Sequence, residues 1–102
     1  MFGLAVRFTL KDEESAAGFD ALVAETLPRI RENEPGTLVY AVHTVEGKPL
    51  ERVFYELYRD RAAFDAHEEQ PHVQRFLQAR GQYLDSTEVD FLNLADAKGV
   101  TG

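Results

Sequence analysis

The hydrophobic pattern of this chain switches between a period of two and a helical period, and the order of the switches restricts the fold more than any single motif. GLAVRFTL, residues 3–10, alternates strictly: Leu4, Val6, Phe8 and Leu10 share one face, Ala5, Arg7 and Thr9 the other. That is the pattern of a half-buried strand. From 15 to 33 the apolar positions Phe19, Leu22, Val23, Leu27 and Ile30 recur at helical spacing and predict an amphipathic helix. KDEES ahead of it offers Asp12 and Ser15 as caps and sets acidic groups near the positive end of the helix. Pro28 predicts a kink or a weakened last turn, and NEPG (33–36) ends the helix with a glycine suited to positive φ.

TLVYAVHTVEG (37–47) and ERVFYELYRD (51–60) are rich in β-branched and aromatic residues, with GKPL between them as a hairpin connection. Asp60 caps a short helix carrying Ala63, Phe64 and His67. EEQP breaks it, and a second helical piece carries Val73, Phe76, Leu77, Arg80 and Leu84. STEVDFLNL (86–94) is the last strand. The order β-α-β-β-α-β, with the second helix broken in two, predicts an α+β, ferredoxin-like protomer with a four-stranded antiparallel sheet. One domain is expected over 1–95, with a frayed tail at 96–102. Both helices on one sheet face leave the other bare, with Ala5, His43 or its neighbours and several aromatics on it. A second copy is the simplest cover, so a symmetric homodimer is expected.

Composition excludes several functions. Eighteen acidic against eleven basic residues give a net charge of −7, with no dense basic patch for nucleic acid or an anionic membrane. The chain has no cysteine, which removes thiolate catalysis, disulfides and Cys-based metal sites. No apolar run approaches the ~20 residues that span a bilayer, and no signal peptide is visible. A cytoplasmic location is expected.

Three histidines are present, and two of them, His67 and His72, lie five positions apart across Pro71. Helical metal ligands share a face at i,i+4, and nothing in the spacing recruits His43 or Glu56 as a third ligand, so no metal site is expected. A neutral imidazole pair near a helix break is suited to taking a proton from a phenol or enol. The competing explanation is packing, with His67 against the sheet edge and His72 at the start of the next helix. Glu56 shares a strand face with Phe54 and Tyr58, where an unpaired carboxylate is costly. It either pairs with Arg7 or Arg52 across a dimer or orients a histidine. Most of Tyr40, Tyr55, Tyr58, Phe8, Phe54, Phe64, Phe76 and Phe91 belong to the core, and their excess around polar groups suits a planar apolar ligand. EPG and GKPL read as ordinary turns, and no phosphate loop or Ser/His/Asp arrangement is present.

EPGTLVYAV, VFYELYRD and AAFDAHEEQPHVQRF together resemble the antibiotic biosynthesis monooxygenase (ABM) superfamily, dimeric α/β-barrel proteins that include small quinol monooxygenases. The matching positions are Glu34-Pro35-Gly36, Tyr55-Glu56-Leu57-Tyr58, and His67, His72 and Phe76, within a likeness running from about 3 to 94. The resemblance implies a homodimeric barrel and a reaction without metal, flavin or other cofactor. In it a small aromatic, phenolic or quinol substrate is deprotonated and its anion reacts with O₂. His67, His72 and Glu56 would form the catalytic set, with Tyr40 or Tyr55 as hydrogen-bond donors and Phe54, Tyr58, Phe64, Phe76 and Phe91 as walls. Tyr58 replaces the tryptophan of the family's Y-E-x-W, and the chain has no tryptophan. The Asn, Trp and axial His of the haem-degrading branch fall at about Val6, His67 and Leu77, which disfavours haem degradation. The superfamily also includes isomerases and proteins with no demonstrated reaction, so an isomerase or a non-catalytic small-molecule-binding protein is the alternative on the same scaffold.

Overall fold

The computed structural model describes residues 1–100; the last two residues of the expected tail lie outside them. Four strands, β1 (Phe2–Leu10), β2 (Thr37–Val45), β3 (Lys48–Tyr58) and β4 (Leu84–Asn93), form one antiparallel sheet in the order β2-β3-β1-β4. Three helices, α1 (Glu13–Asn33), α2 (Arg61–Glu69) and α3 (Pro71–Ala79), cover one face. The fold is therefore the ferredoxin-like α+β arrangement that the order of periods predicts.

Strict alternation in β1 sends Leu4, Val6, Phe8 and Leu10 under the helices, all buried. Register carries the same parity across the sheet: Leu4 opposes Glu56 and Phe91, and Val6 opposes Phe54 and Val89. Phe8, Phe19, Phe54 and Phe76 then meet at tilted or edge-on angles, with centroids 4.7 Å apart for Phe8 and Phe54. Rings in such contacts contribute about 0.5–1.5 kcal/mol beyond their burial.

Asp12 caps α1, its carboxylate accepting from Ser15 N at 2.7 Å, so the helix begins before Ser15. Pro28 does not end α1, which runs on to Asn33, because the proline lies on the exposed side. The helix stops at Asn33, two residues before Pro35, and Glu34 between them leaves helical backbone at φ −127°, ψ 77°. Gly36 has no positive φ; its role is steric, since a Cβ there would meet the Ala63 Cβ at 2.7 Å. In the β2–β3 hairpin Val45 pairs with Lys48, so Glu46 and Gly47 make the turn and only Gly47 needs positive φ (76°). Leu84 belongs to β4 rather than to the second helix, because a 3-10 turn over Arg80–Tyr83 ends the helical run.

The sheet face without helices carries Ala5, Arg7, His43, Val53, Tyr55 and Leu57, of which Leu57 is already buried, beside Leu92 and Leu94. Of the aromatics expected there only Tyr55 is present; parity places the others on the helix side. His43 is exposed, its Nδ1 donating to the Val53 carbonyl at 3.1 Å.

Candidate functional site

Two prolines assemble the site. Pro35 halts α1 so that the Glu34 side chain turns inward, and Pro71 forces Gln70 into extended backbone (φ −64°, ψ 139°) between α2 and α3. That bend places His67, in the last turn of α2, and His72, in the first turn of α3, on opposite oxygens of one carboxylate. His67 Nδ1 donates to Glu34 Oε1 at 2.6 Å, and His72 Nε2 donates to Oε2 at 2.5 Å. Thr37 Oγ1 adds a third donor to Oε1 at 2.8 Å. The Glu34 and His67 side chains are only 3% and 5% exposed, which places this pairing inside the protein.

Burial works to raise the Glu34 pKa, but the hydrogen bonds from His67, His72 and Thr37 outweigh it and hold the carboxyl below its ordinary value. An ionised Glu34 accepts only, so the His67 proton sits on Nδ1. In the neutral ring Nε2 then carries a free lone pair, on the edge turned away from Glu34. Tyr40, Tyr58 and Phe64 hold that ring in place, with centroids at 5.5, 5.2 and 6.4 Å.

His67 is part of the wall of a cavity of about 150 Å³ between the sheet and α2–α3. Leu4, Val6 and Phe8 of β1 form its floor, with Tyr40 and Glu56 alongside. Phe64, Phe76 and Leu77 line the helix side, and Val89 and Phe91 of β4 stand at the edge. Phe91 is 60% exposed, so the mouth lies on the β4 side. A cavity of about this volume is large enough for one aromatic ring.

Glu56 contrasts with Glu34. Tyr58 Oη donates to its Oε1 at 2.5 Å, and no other hydrogen bond reaches it among the described residues. Burial raises the Glu56 pKa, and the Tyr58 hydrogen bond and nearby His67 offset this only in part. Burial and the neighbouring carboxylates also push the Tyr40 and Tyr58 hydroxyls well above the ordinary phenol range, so both remain O–H groups at neutral pH.

Of the residues expected at the site, His67, Glu56, Tyr40, Phe64, Phe76 and Phe91 meet around the cavity. His72 reaches it only through Glu34. Phe54 and Tyr58 are buried in the core beneath it. Tyr55 points to the opposite face of the sheet, opposite Ala5, and cannot donate into this cavity. Within the protomer both arginines considered for Glu56 are engaged elsewhere, Arg7 with Glu51 at 2.7 Å and Arg52 with Asp20 at 2.9 Å. The carboxylate that orients the histidines is Glu34, not Glu56. Glu34 escapes a reading of local pattern because E-P-G looks like a turn; its place in the family motif was the available signal. Thr37, Glu68 and Arg80 were also unforeseen as site residues. Among the described residues no group of three or more His, Asp or Glu is arranged to hold a metal ion.

The chain belongs to the antibiotic biosynthesis monooxygenase family, whose pattern it matches over residues 1–79. Solved structures repeat the fold. A Bacteroides thetaiotaomicron protein named for the same family is 21% identical, with a TM-score of 0.86 over 99% of this chain and 94% of its own. A Mycobacterium tuberculosis protein is 25% identical, with a TM-score of 0.85 over 94% of this chain and 96% of its own. A Pseudomonas aeruginosa protein is 24% identical, with a TM-score of 0.80 over 92% of this chain and 94% of its own. No functionally curated protein matches the chain in sequence. No helix among the described residues is long and apolar enough to cross a membrane.

Proposed function

We propose that the protein is a cofactor-independent monooxygenase acting on a small aromatic, phenolic or quinol substrate. The observation that carries this reading is the Glu34–His67 hydrogen bond at 2.6 Å beside an aromatic-lined cavity. Glu34 fixes the tautomer and His67 Nε2 takes the phenol proton. Tyr40, in the same cavity lining, donates its hydroxyl to the anion. For a phenol, the ring carbon para to oxygen then bonds O₂ to form a hydroperoxide. Cleavage of the O–O bond releases water and leaves the quinone, so one oxygen atom enters the product. The four electrons that reduce O₂ come from the substrate, and the protein supplies proton removal and orientation in an aromatic-lined cavity.

One observation favours a second reading. Glu56, inclined toward its protonated form, shares the cavity with the His67 base, and an acid opposite a base is what an isomerase of an enolic substrate requires. A protein that binds such a molecule without reacting is the remaining alternative. Oxygen uptake with hydroquinones and polyphenols, before and after chelation, separates them. An oxygenase consumes O₂ beyond autoxidation, and His67→Ala lowers turnover by about 10²–10⁴ while leaving the fold intact. No uptake, or uptake unchanged in His67→Ala, removes the oxygenase assignment or the role of His67 respectively.

A homodimer closing over the uncovered sheet face fits this assignment, since Val53 and Tyr55 are half-buried side chains that no helix covers. A monomer mass by light scattering at micromolar concentration would remove that arrangement.

A further inference from the structure

Three arginines are withdrawn from full exposure, and two of them are paired: Arg7 holds Glu51 at 2.7 Å and Arg52 holds Asp20 at 2.9 Å. Of the exposed ones, Arg61 and Arg75 have carboxylate partners while Arg29, Arg31 and Arg59 make no ion pair among the described residues. Arg80 is half-buried in the cavity wall and makes no ion pair or hydrogen bond among the described residues. Its guanidinium carbon lies 5.5 Å from the Phe8 ring centroid and 5.9 Å from that of Phe76. Cation–π attraction uses the face of the guanidinium and leaves its in-plane N–H groups free. Among the described residues no buried side-chain nitrogen or oxygen lacks a partner, so the unpaired N–H groups of Arg80 are open to solvent or the cavity. Two carboxylates share the lining, and neither reaches ion-pairing distance of Arg80. Glu56 is engaged by Tyr58, and Glu68 is half-buried on α2.

We propose that Arg80 is an anion-holding residue and that the cavity takes an aromatic acid, a single ring whose carboxylate lies in the guanidinium plane. The proposal rests on the aromatic-ligand reading of the cavity and narrows it. A planar fork of N–H donors matches a carboxylate, and two aromatic faces hold that fork still without neutralising it. The cavity volume of about 150 Å³ is on the scale of one ring.

Anaerobic titration calorimetry with gentisate and with hydroquinone, which lacks the carboxylate, tests this without turnover. The wild-type protein should bind gentisate about tenfold to a hundredfold more tightly than hydroquinone, the range of one charge-assisted pair. Arg80→Gln should abolish that preference and leave hydroquinone affinity within about twofold, a change small beside one charged hydrogen bond. Arg80→Lys should retain part of the preference, since it keeps the charge and loses the fork. Thermal melts of both variants report folding independently. Equal affinities in the wild type, a preference that survives Arg80→Gln, or no binding of either molecule would each overturn the proposal. Preserved Arg80-dependent binding without oxygen uptake would instead overturn the oxygenase reading and leave this one standing.

Discussion

Glu34 and Glu56 are both buried and both lie near His67, yet the protein shifts their proton affinities in opposite directions. Burial pushes each upward. Glu34 receives three donors and ends below its ordinary value; Glu56 receives one and ends above it. Glu34 does so at the C-terminal end of α1, where the helix dipole disfavours an anion. Glu34 is less deeply enclosed than Glu56 and receives more donors, and both differences favour its charged form. The charged one can then orient a base, and the one inclined toward neutrality can face the same cavity as an acid.

The largest expected effect tests the first half of this contrast. Glu34→Gln replaces an acceptor of three hydrogen bonds with an amide whose NH₂ faces an imidazole N–H. One histidine must then reverse its tautomer. We expect a stability loss of about 3 kcal/mol in denaturant titration, the scale for breaking a buried charged network. If His67 is the ring that reverses, its Nε2 becomes protonated and turnover falls as well. A loss below about 1 kcal/mol, the scale of an ordinary surface substitution, would show that Glu34 is no more constrained than a surface residue.

Next in size is the acid limb of stability. A lowered folded-state pKa means that the unfolded chain binds more protons in the interval between the two values. The Glu34 contribution is therefore complete above the unfolded value of about 4.3 and is lost as pH falls through the folded one. Urea midpoints measured downward from pH 5 should drop in the wild type and flatten in Glu34→Gln. Equal slopes in the two proteins would contradict the assigned direction. For Glu56 the sign reverses: its contribution is complete below about 4.3 and is lost as pH rises through its raised folded value.

The smallest effect sharpens the second half. Glu56→Gln keeps an oxygen for the Tyr58 hydroxyl and removes a charge that the site disfavours, so stability near neutral pH should change by less than about 1 kcal/mol. The variant should also lose the decline that Glu56 contributes as pH rises. A loss as large as that of Glu34→Gln would mean that the two carboxylates are not opposites.

Alternation in β1 and β3 was legible because each strand carries its own period, and it predicted that Glu56, Phe54 and Tyr58 share a face. The same parity excludes Tyr55 from the cavity, although the family motif invites its inclusion. It also leaves the open sheet face poorer in aromatics than expected. The break before Pro71 was legible as a turn, but not its consequence, because i,i+5 spacing brings two imidazoles onto one acceptor only when the backbone bends there. Arg80 read as one more position in a helical run. Its lack of a carboxylate partner is a property of what surrounds it.

The sequence by itself determined the order of elements, the inward face of each strand and the helix ends at Asp12, Asp60, Pro35 and Pro71. These depend on contacts among near neighbours and on the backbone limits of single residues. Tertiary structure alone decided that Glu34 meets His67 and His72, from which it is separated by 33 and 38 positions. It likewise decided which buried carboxylate receives donors and which does not. No local period carries that information, because proton affinity inside a protein follows from the partners that the fold brings to each group.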